Sequence, residues 1–116
     1  DLYELLEACT NGTLAEQKIE WEPLACVCVI LASRGYPESS RVGLPITGIE
    51  EAEQIPGVVI FHAGTVFENG ILKTAGGRVL AVTATAPTMD EARELTYRAA
   101  HRIHFNGMQF RTDIGL

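Results

Sequence analysis

The stretch from Val58 to Ala86 constrains the chain most, because its residues and turn signals suit β structure throughout. Val58 to Phe61 are β-branched or aromatic, as a strand favours. Asn69-Gly70 follows, and both residues tolerate the positive φ of a type I′ turn, so a hairpin is predicted there. Val79, Ala81 and Thr83 alternate with Leu80, Val82 and Ala84, and two apolar rows predict a strand covered on both faces. The joints carry the unusual residues. His62-Ala63-Gly64-Thr65 interrupts the first strand, and Ala75-Gly76-Gly77-Arg78 precedes the last. Glycine lets a backbone approach a ligand and present N–H groups to it, so a histidine and an arginine beside two such openings fit a polar pocket. The same spacing fits glycines that serve tight turns and an arginine that is only solvated, and short glycine motifs do not choose between the two.

Upstream, Asp1 to Thr10 predicts a helix whose apolar stripe is Leu2, Leu5, Leu6 and Cys9, stopped by Asn11-Gly12. Leu14 to Gln17 predicts a short turn of helix, and Ile19 to Glu22 alternates like a strand. Ala25 to Ala32 is a continuous apolar run of strand length and predicts a central strand. A long loop, Ser33 to Gly48, separates it from a short helix over Ile49 to Ile55. Downstream, Thr88 and Glu91 have capping-box spacing at the head of a helix running to Ile103, with Glu94 and Arg98 paired on its outside. Asn106-Gly107 closes that helix, and Met108 to Leu116 is the place for a last strand. His101 and His104 are three apart near the helix end, where the dipole favours histidine, and no third ligand has metal-binding spacing.

At 116 residues and 47% hydrophobic content the chain is long and apolar enough for one packed domain. Its opening Asp1-Leu2-Tyr3, without an initiator methionine, predicts a piece of a longer polypeptide. No apolar run approaches the roughly 18–20 residues of a membrane span. The formal net charge of −6 argues against nucleic acid or an anionic membrane as partner. Residues 1–57 hold ten acids and three bases, net −7, whereas residues 58–116 hold five acids and six bases, net +1. An anionic ligand is therefore better matched to the second half. Three cysteines without a CxxC pair argue against a disulfide framework or a zinc site. Cys26 and Cys28 share one strand face and are expected to be buried thiols in a reducing, cytoplasmic setting.

Several strings occur together in one order: Ser33-Arg34-Gly35-Tyr36-Pro37, Ile46-Thr47-Gly48, Phe61 to Thr65, Thr74 to Leu80, and Arg111-Thr112-Asp113-Ile114-Gly115. In these the chain resembles the C-terminal part of the phosphoribosylamine–glycine ligase family, the glycinamide ribonucleotide synthetases of the ATP-grasp superfamily. The resemblance spans essentially the whole chain. It implies that residues 1–31 are the tail of the ATP-grasp region with a connecting strand, and that residues 32–116 are the C-terminal ligase domain. The implied fold is α+β: an antiparallel, half-barrel-like sheet with a packed C-terminal helix, preceded by an N-terminal helix from the ATP-grasp region.

The implied activity joins 5-phosphoribosylamine to glycine with ATP and Mg2+, through glycyl phosphate, in de novo purine synthesis. The implied partners are the upstream N-terminal and ATP-grasp domains and those small substrates. ATP and Mg2+ are expected outside this chain, because the family's acidic metal-binding signature lies ahead of Asp1. The family commonly has Gly-Gly-Tyr-Pro where this chain has Arg34-Gly35-Tyr36-Pro37. By resemblance His62, Gly64, Thr65, Gly76, Gly77 and Arg78 are substrate-binding, with no catalytic and no metal residue in the chain. Two other classes compete. One is a purely structural module packing on the ATP-grasp core. The other is a biotinyl-carrier-like module, which needs a lysine at a hairpin tip, whereas Lys73 stands past Asn69-Gly70.

Overall fold

The computed structural model describes residues 1–116 and has an α+β architecture. A three-stranded antiparallel sheet has the order β1 (Ala25–Ala32), β5 (Arg78–Ala86), β2 (Val58–His62). Helix α3 (Met89–Ala100) packs across β1 and β5, and the short α2 (Ile49–Glu53) sits against β2. A separate antiparallel ribbon, β3 (Thr65–Glu68) and β4 (Ile71–Thr74), turns at Asn69-Gly70 with φ of 51° and 77°. These are the signs that a type I′ turn demands.

The predicted hairpin stretch is thus present, but its last strand is central and Ala25–Ala32 is an edge strand. Pairing explains the swap. β5 is the longest strand, at nine residues, and it alone has partners on both sides. Leu80, Val82 and Ala84 face α3 together with Val27, Val29 and Leu31 of β1 and Val58 and Ile60 of β2. On the opposite face Cys26, Cys28 and Ile30 line up with Thr85, Thr83 and Ala81, and with Val59 and Phe61 beyond. That face is open: Ile30, Val59 and Phe61 are exposed, and Ala81 and Thr83 are half-buried. Of the second row, Val79 is buried while Ala81 and Thr83 are only half-covered, so that face of β5 is covered at its start alone. Cys26 and Cys28 are exposed rather than buried, because a period of two sends them away from the helix.

Helix α3 starts as expected. The Thr88 hydroxyl accepts from the Glu91 N–H, and the Glu91 carboxylate accepts from the Thr88 N–H. The helix ends at Ala100, not Ile103, and Ile103 and Phe105 turn beneath it as two of the most deeply buried side chains. Backbone exchange between Thr47 and His104, at 3.0 Å each way, fixes this return. Glu94 and Arg98 form no ion pair on its surface. The segment after Gly107 forms no strand; it makes one antiparallel bridge, Gln109 with Ala32.

Three polar side chains are buried, and each stitches distant segments: Ser33 to Gly76, Thr74 to Leu44, and Thr96 to Val27. No buried side-chain polar atom lacks a partner, as stable interiors require.

Residues 1–24 stand apart. Helix α1 (Leu2–Asn11) is capped by Asp1 and ended by Gly12, and a 3-10 turn follows at Leu14–Glu16. The expected strand over Ile19–Glu22 is absent, and Trp21 is 87% exposed, because no neighbouring strand offers it a ladder. Only Ala8 is buried in this arm. The Cα radius of gyration is 16.7 Å, above the about 13 Å of a compact domain this long.

Two outcomes follow. In the 116-residue chain, Cys26 and Cys28 react rapidly with a thiol reagent under native conditions, and slow labelling of either would contradict the open sheet face. Thr88→Ala removes half of a reciprocal cap and lowers stability by about 1 kcal/mol in a urea titration, whereas an unchanged midpoint would show that the cap is idle.

Candidate functional site

Three segments converge at the N-terminal end of β5. The chain leaves β2 at His62, and the Gly64 N–H donates back to Arg78 O at 2.9 Å and Val79 O at 3.1 Å. The Ala75 N–H donates to Gly64 O at 2.7 Å, so the two glycine joints are tied to each other. Their backbones touch: a Cβ on Gly64 would lie 2.6 Å from Arg78 O and 2.9 Å from the Gly76 Cα. Ser33 joins them, its hydroxyl donating to Gly76 O and its N–H to Gly77 O, both at 2.8 Å. Gly77 lies under the Tyr36 ring, where an added Cβ would collide with Tyr36 and with Ser40 Oγ.

Exposed His62 pairs through Nδ1 with the Thr65 hydroxyl at 3.0 Å and braces the joint. The Gly64 amide is committed inside the chain. The Gly76 and Gly77 amides have no acceptor within it. Arg78 is exposed and makes no ion pair. The two carboxylates that could have claimed it have other partners: Glu68 takes Lys73 at 3.2 Å, and Asp113 takes Arg111.

Arg78 opens onto a groove of about 480 Å3 shared with Ile30, Ala32, Tyr36, Gln109, Phe110 and Arg111. The Gln109 side-chain amide donates to Tyr36 O at 3.1 Å and closes the ring of segments. Tyr36, Gln109 and Arg111 were not among the residues expected to bind. The signal was available, since Tyr36 and Arg111 belong to two of the strings that carry the family resemblance.

A larger depression of about 700 Å3 lies along α3, lined by Asp90, Glu94, Arg93 and Arg98 among others. Charges of both signs face it, and Arg93 is occupied by the carbonyls of Thr112 and Ile114 at 3.0 and 3.1 Å. The smaller groove is the better candidate for an anion because it is lined by two arginines and no acid, whereas Asp90 and Glu94 line the larger one. His101 binds Tyr97 O through Nδ1 at 2.6 Å, and no group of three or more possible metal ligands converges anywhere. Lys73 is paired with Glu68 away from the hairpin tip, which does not favour the carrier-module alternative.

Residues 26–116 match the family model for the phosphoribosylglycinamide synthetase C domain. A phosphoribosylamine–glycine ligase from Caldanaerobacter subterraneus subsp. tengcongensis is 42% identical over 114 residues, covering 98% of this chain and 27% of that protein. The Streptomyces coelicolor ligase is 46% identical over 113 residues, covering 95% and 27%. A chloroplastic ligase from Arabidopsis thaliana is 43% identical over 117 residues, covering 99% and 22%. The crystal structure of the Thermotoga maritima ligase superposes with a TM-score of 0.74 at 38% identity, over 92% of this chain and 27% of that one. The chain spans about a quarter of the length of the curated relatives it matches. With a matching family model over most of its length and the same fold in a solved relative, the chain belongs to the phosphoribosylglycinamide synthetase C-domain family.

Proposed function

We propose that this chain is the C-terminal portion of a phosphoribosylamine–glycine ligase of purine biosynthesis, and that it forms the substrate-side wall of the enzyme's cleft. The observation that carries the reading is Arg78. It is an unpaired guanidinium lining a groove, and it follows in sequence on Gly76 and Gly77, whose amides lack an acceptor although neither glycine lines the groove. A free guanidinium suits an anion, and it grips phosphate through two parallel N–H bonds. The anion in this reading is the 5-phosphate of phosphoribosylamine. Held there, the sugar presents its amine to a glycyl carboxylate activated elsewhere. Nitrogen attack on the acyl carbon forms the C–N bond, and the activating phosphate leaves.

ATP and Mg2+ belong to the remainder of the polypeptide. The residues here do not fit either group: no acidic cluster converges, and Lys18 and Lys73 are each paired with a glutamate. On the same reading the tail of the ATP-grasp region ends at 24 rather than at the expected 31, since residues 1–24 bury almost nothing against β1 to α3 whereas β1 pairs with β5. The open sheet face of Ile30, Val59 and Phe61 would likewise rest on that region. We place the whole enzyme in the cytoplasm; no helix here is long and apolar enough to cross a membrane.

Arg78→Ala in the full-length ligase is expected to lower kcat/KM for phosphoribosylamine by about ten- to a hundredfold, while Mg-ATP binding stays near wild type. Unchanged kinetics with a lowered melting temperature would refute the substrate role. Gly64→Ala is the structural counterpart: overpacking against Arg78 O and Gly76 costs about 1–3 kcal/mol and shows as a lowered melting temperature.

A further inference from the structure

We infer that Arg111 is a second anion-binding group of this groove, acting beside Arg78 on the phosphate monoester of the substrate, with Asp113 as the residue that positions it. The inference rests on the reading of the groove as the substrate wall. Neither residue is among those expected from the sequence to bind.

Arg111 and Arg78 reach the groove from opposite ends of the chain's second half. Arg78 opens β5, and Arg111 lies in the tail beyond α3. The tail is fixed on both sides of Arg111. Ahead of it, Gln109 exchanges backbone hydrogen bonds with Ala32 at 2.8 and 3.0 Å. Behind it, Arg93 donates to Thr112 O and Ile114 O, and the Ile114 N–H donates to the Tyr97 hydroxyl at 3.1 Å. The Tyr97 hydroxyl itself donates to Arg111 O at 2.9 Å. The Arg111 backbone is therefore held by its carbonyl and by bonded neighbours on both sides.

The side chain is also preset. Arg111 donates through Nε to Asp113 Oδ1 at 2.8 Å and through one terminal nitrogen to Asp113 Oδ2. The other terminal nitrogen has no partner in the chain. A guanidinium gripped along one edge by a carboxylate loses less rotational freedom when its other edge meets an oxyanion. The hydrogen bond from Arg111 also holds the Asp113 carboxyl below the usual carboxylate range, so the pair is intact at neutral pH.

Charge makes the same point. The chain as a whole is −6, yet the groove lining contains two arginines and no acid. Asp113 faces Arg111 from the tail itself and neutralises one of the two. One positive charge thus remains uncompensated, and two sets of N–H donors remain free. A phosphate monoester, with its several acceptor oxygens, is the ligand chemistry that uses both. A carboxylate such as that of glycine carries one charge on two oxygens, whereas a phosphate monoester spreads more charge over three terminal oxygens and so makes fuller use of two guanidiniums.

The test is steady-state kinetics and thermal melting on the full-length protein, wild type against Arg78→Ala, Arg111→Ala, Arg111→Lys and Asp113→Asn. Arg111→Ala is expected to raise KM for phosphoribosylamine by about tenfold, with KM for glycine and for Mg-ATP unchanged. Asp113→Asn releases the guanidinium and raises the same KM by a smaller factor, without moving the other two. Arg111→Lys keeps the stem and the charge, so it guards against a folding artefact and recovers part of the loss. An effect in Arg78→Ala with none in Arg111→Ala would overturn the inference and leave the groove standing as the substrate wall. No effect in either would overturn both. Equal rises in all three KM values with a lowered melting temperature would make Arg111 a structural residue and overturn the inference as well.

Discussion

The backbone contact between Gly64 and Gly76 is what the rest of this site depends on. Two polypeptide joints approach until no Cβ fits on Gly64, and their amides and carbonyls bond directly. This fixes where β2 ends and where β5 begins. Arg78 is then the first residue of a strand whose next two residues, Val79 and Leu80, are fully buried. A flexible side chain thereby stands on an immobile base. Ser33, itself buried, extends the junction to the loop that brings Tyr36 over Gly77. Of the two roles open for these glycines, close packing is visible for Gly64 and Gly77. It does not exclude a ligand, because the Gly76 and Gly77 amides still lack acceptors.

The sheet built on this junction is one-sided. Helix α3 and the Ile103–Phe105 return cover one face, against which the three strands contribute most of the 18-residue core. The other face presents Cys26, Cys28, Ile30, Val59 and Phe61 to solvent, and α1 presents Leu2 and Leu6. These are core-type residues without a core in this chain. The groove lies at the rim where Ile30 of that bare face meets Ala32, Arg78 and the tail. Apolar contact area and a concentrated positive charge are therefore neighbours, which suits a wall that closes against another body around an anionic ligand.

How much of this was legible depended on how local each signal was. The Asn69-Gly70 hairpin, the Thr88–Glu91 capping box and the Gly12 stop are settled within four residues, and all three are found. The rank of strands was not legible. Ala25–Ala32 is apolar at every position, which reads as a central strand, but its outer row is apolar without being covered. The buried thiols failed for the same reason. The end of α3 was misplaced because Ile103 continues the helical stripe in sequence, while in space it is captured by the Thr47–His104 exchange. At the site, Arg78 stood out because a glycine pair precedes it. Arg111 stood out only as part of a string that carries the family resemblance, and no local feature shows that the tail returns to Ala32.

The chain reverses direction with the same dipeptide three times, at Asn11-Gly12, Asn69-Gly70 and Asn106-Gly107, and each glycine has positive φ. That choice has a chemical side. An asparagine followed by glycine leaves its amide carbon unshielded, so the next backbone nitrogen can close a succinimide that reopens as aspartate or isoaspartate. Isoaspartate lengthens the main chain by one carbon and adds a negative charge. At Asn69 this would break the hairpin that carries Lys73 and Glu68, and at Asn106 it would loosen the turn that sends the tail back toward Ala32. The residues that make these turns tight are also where the polypeptide ages first.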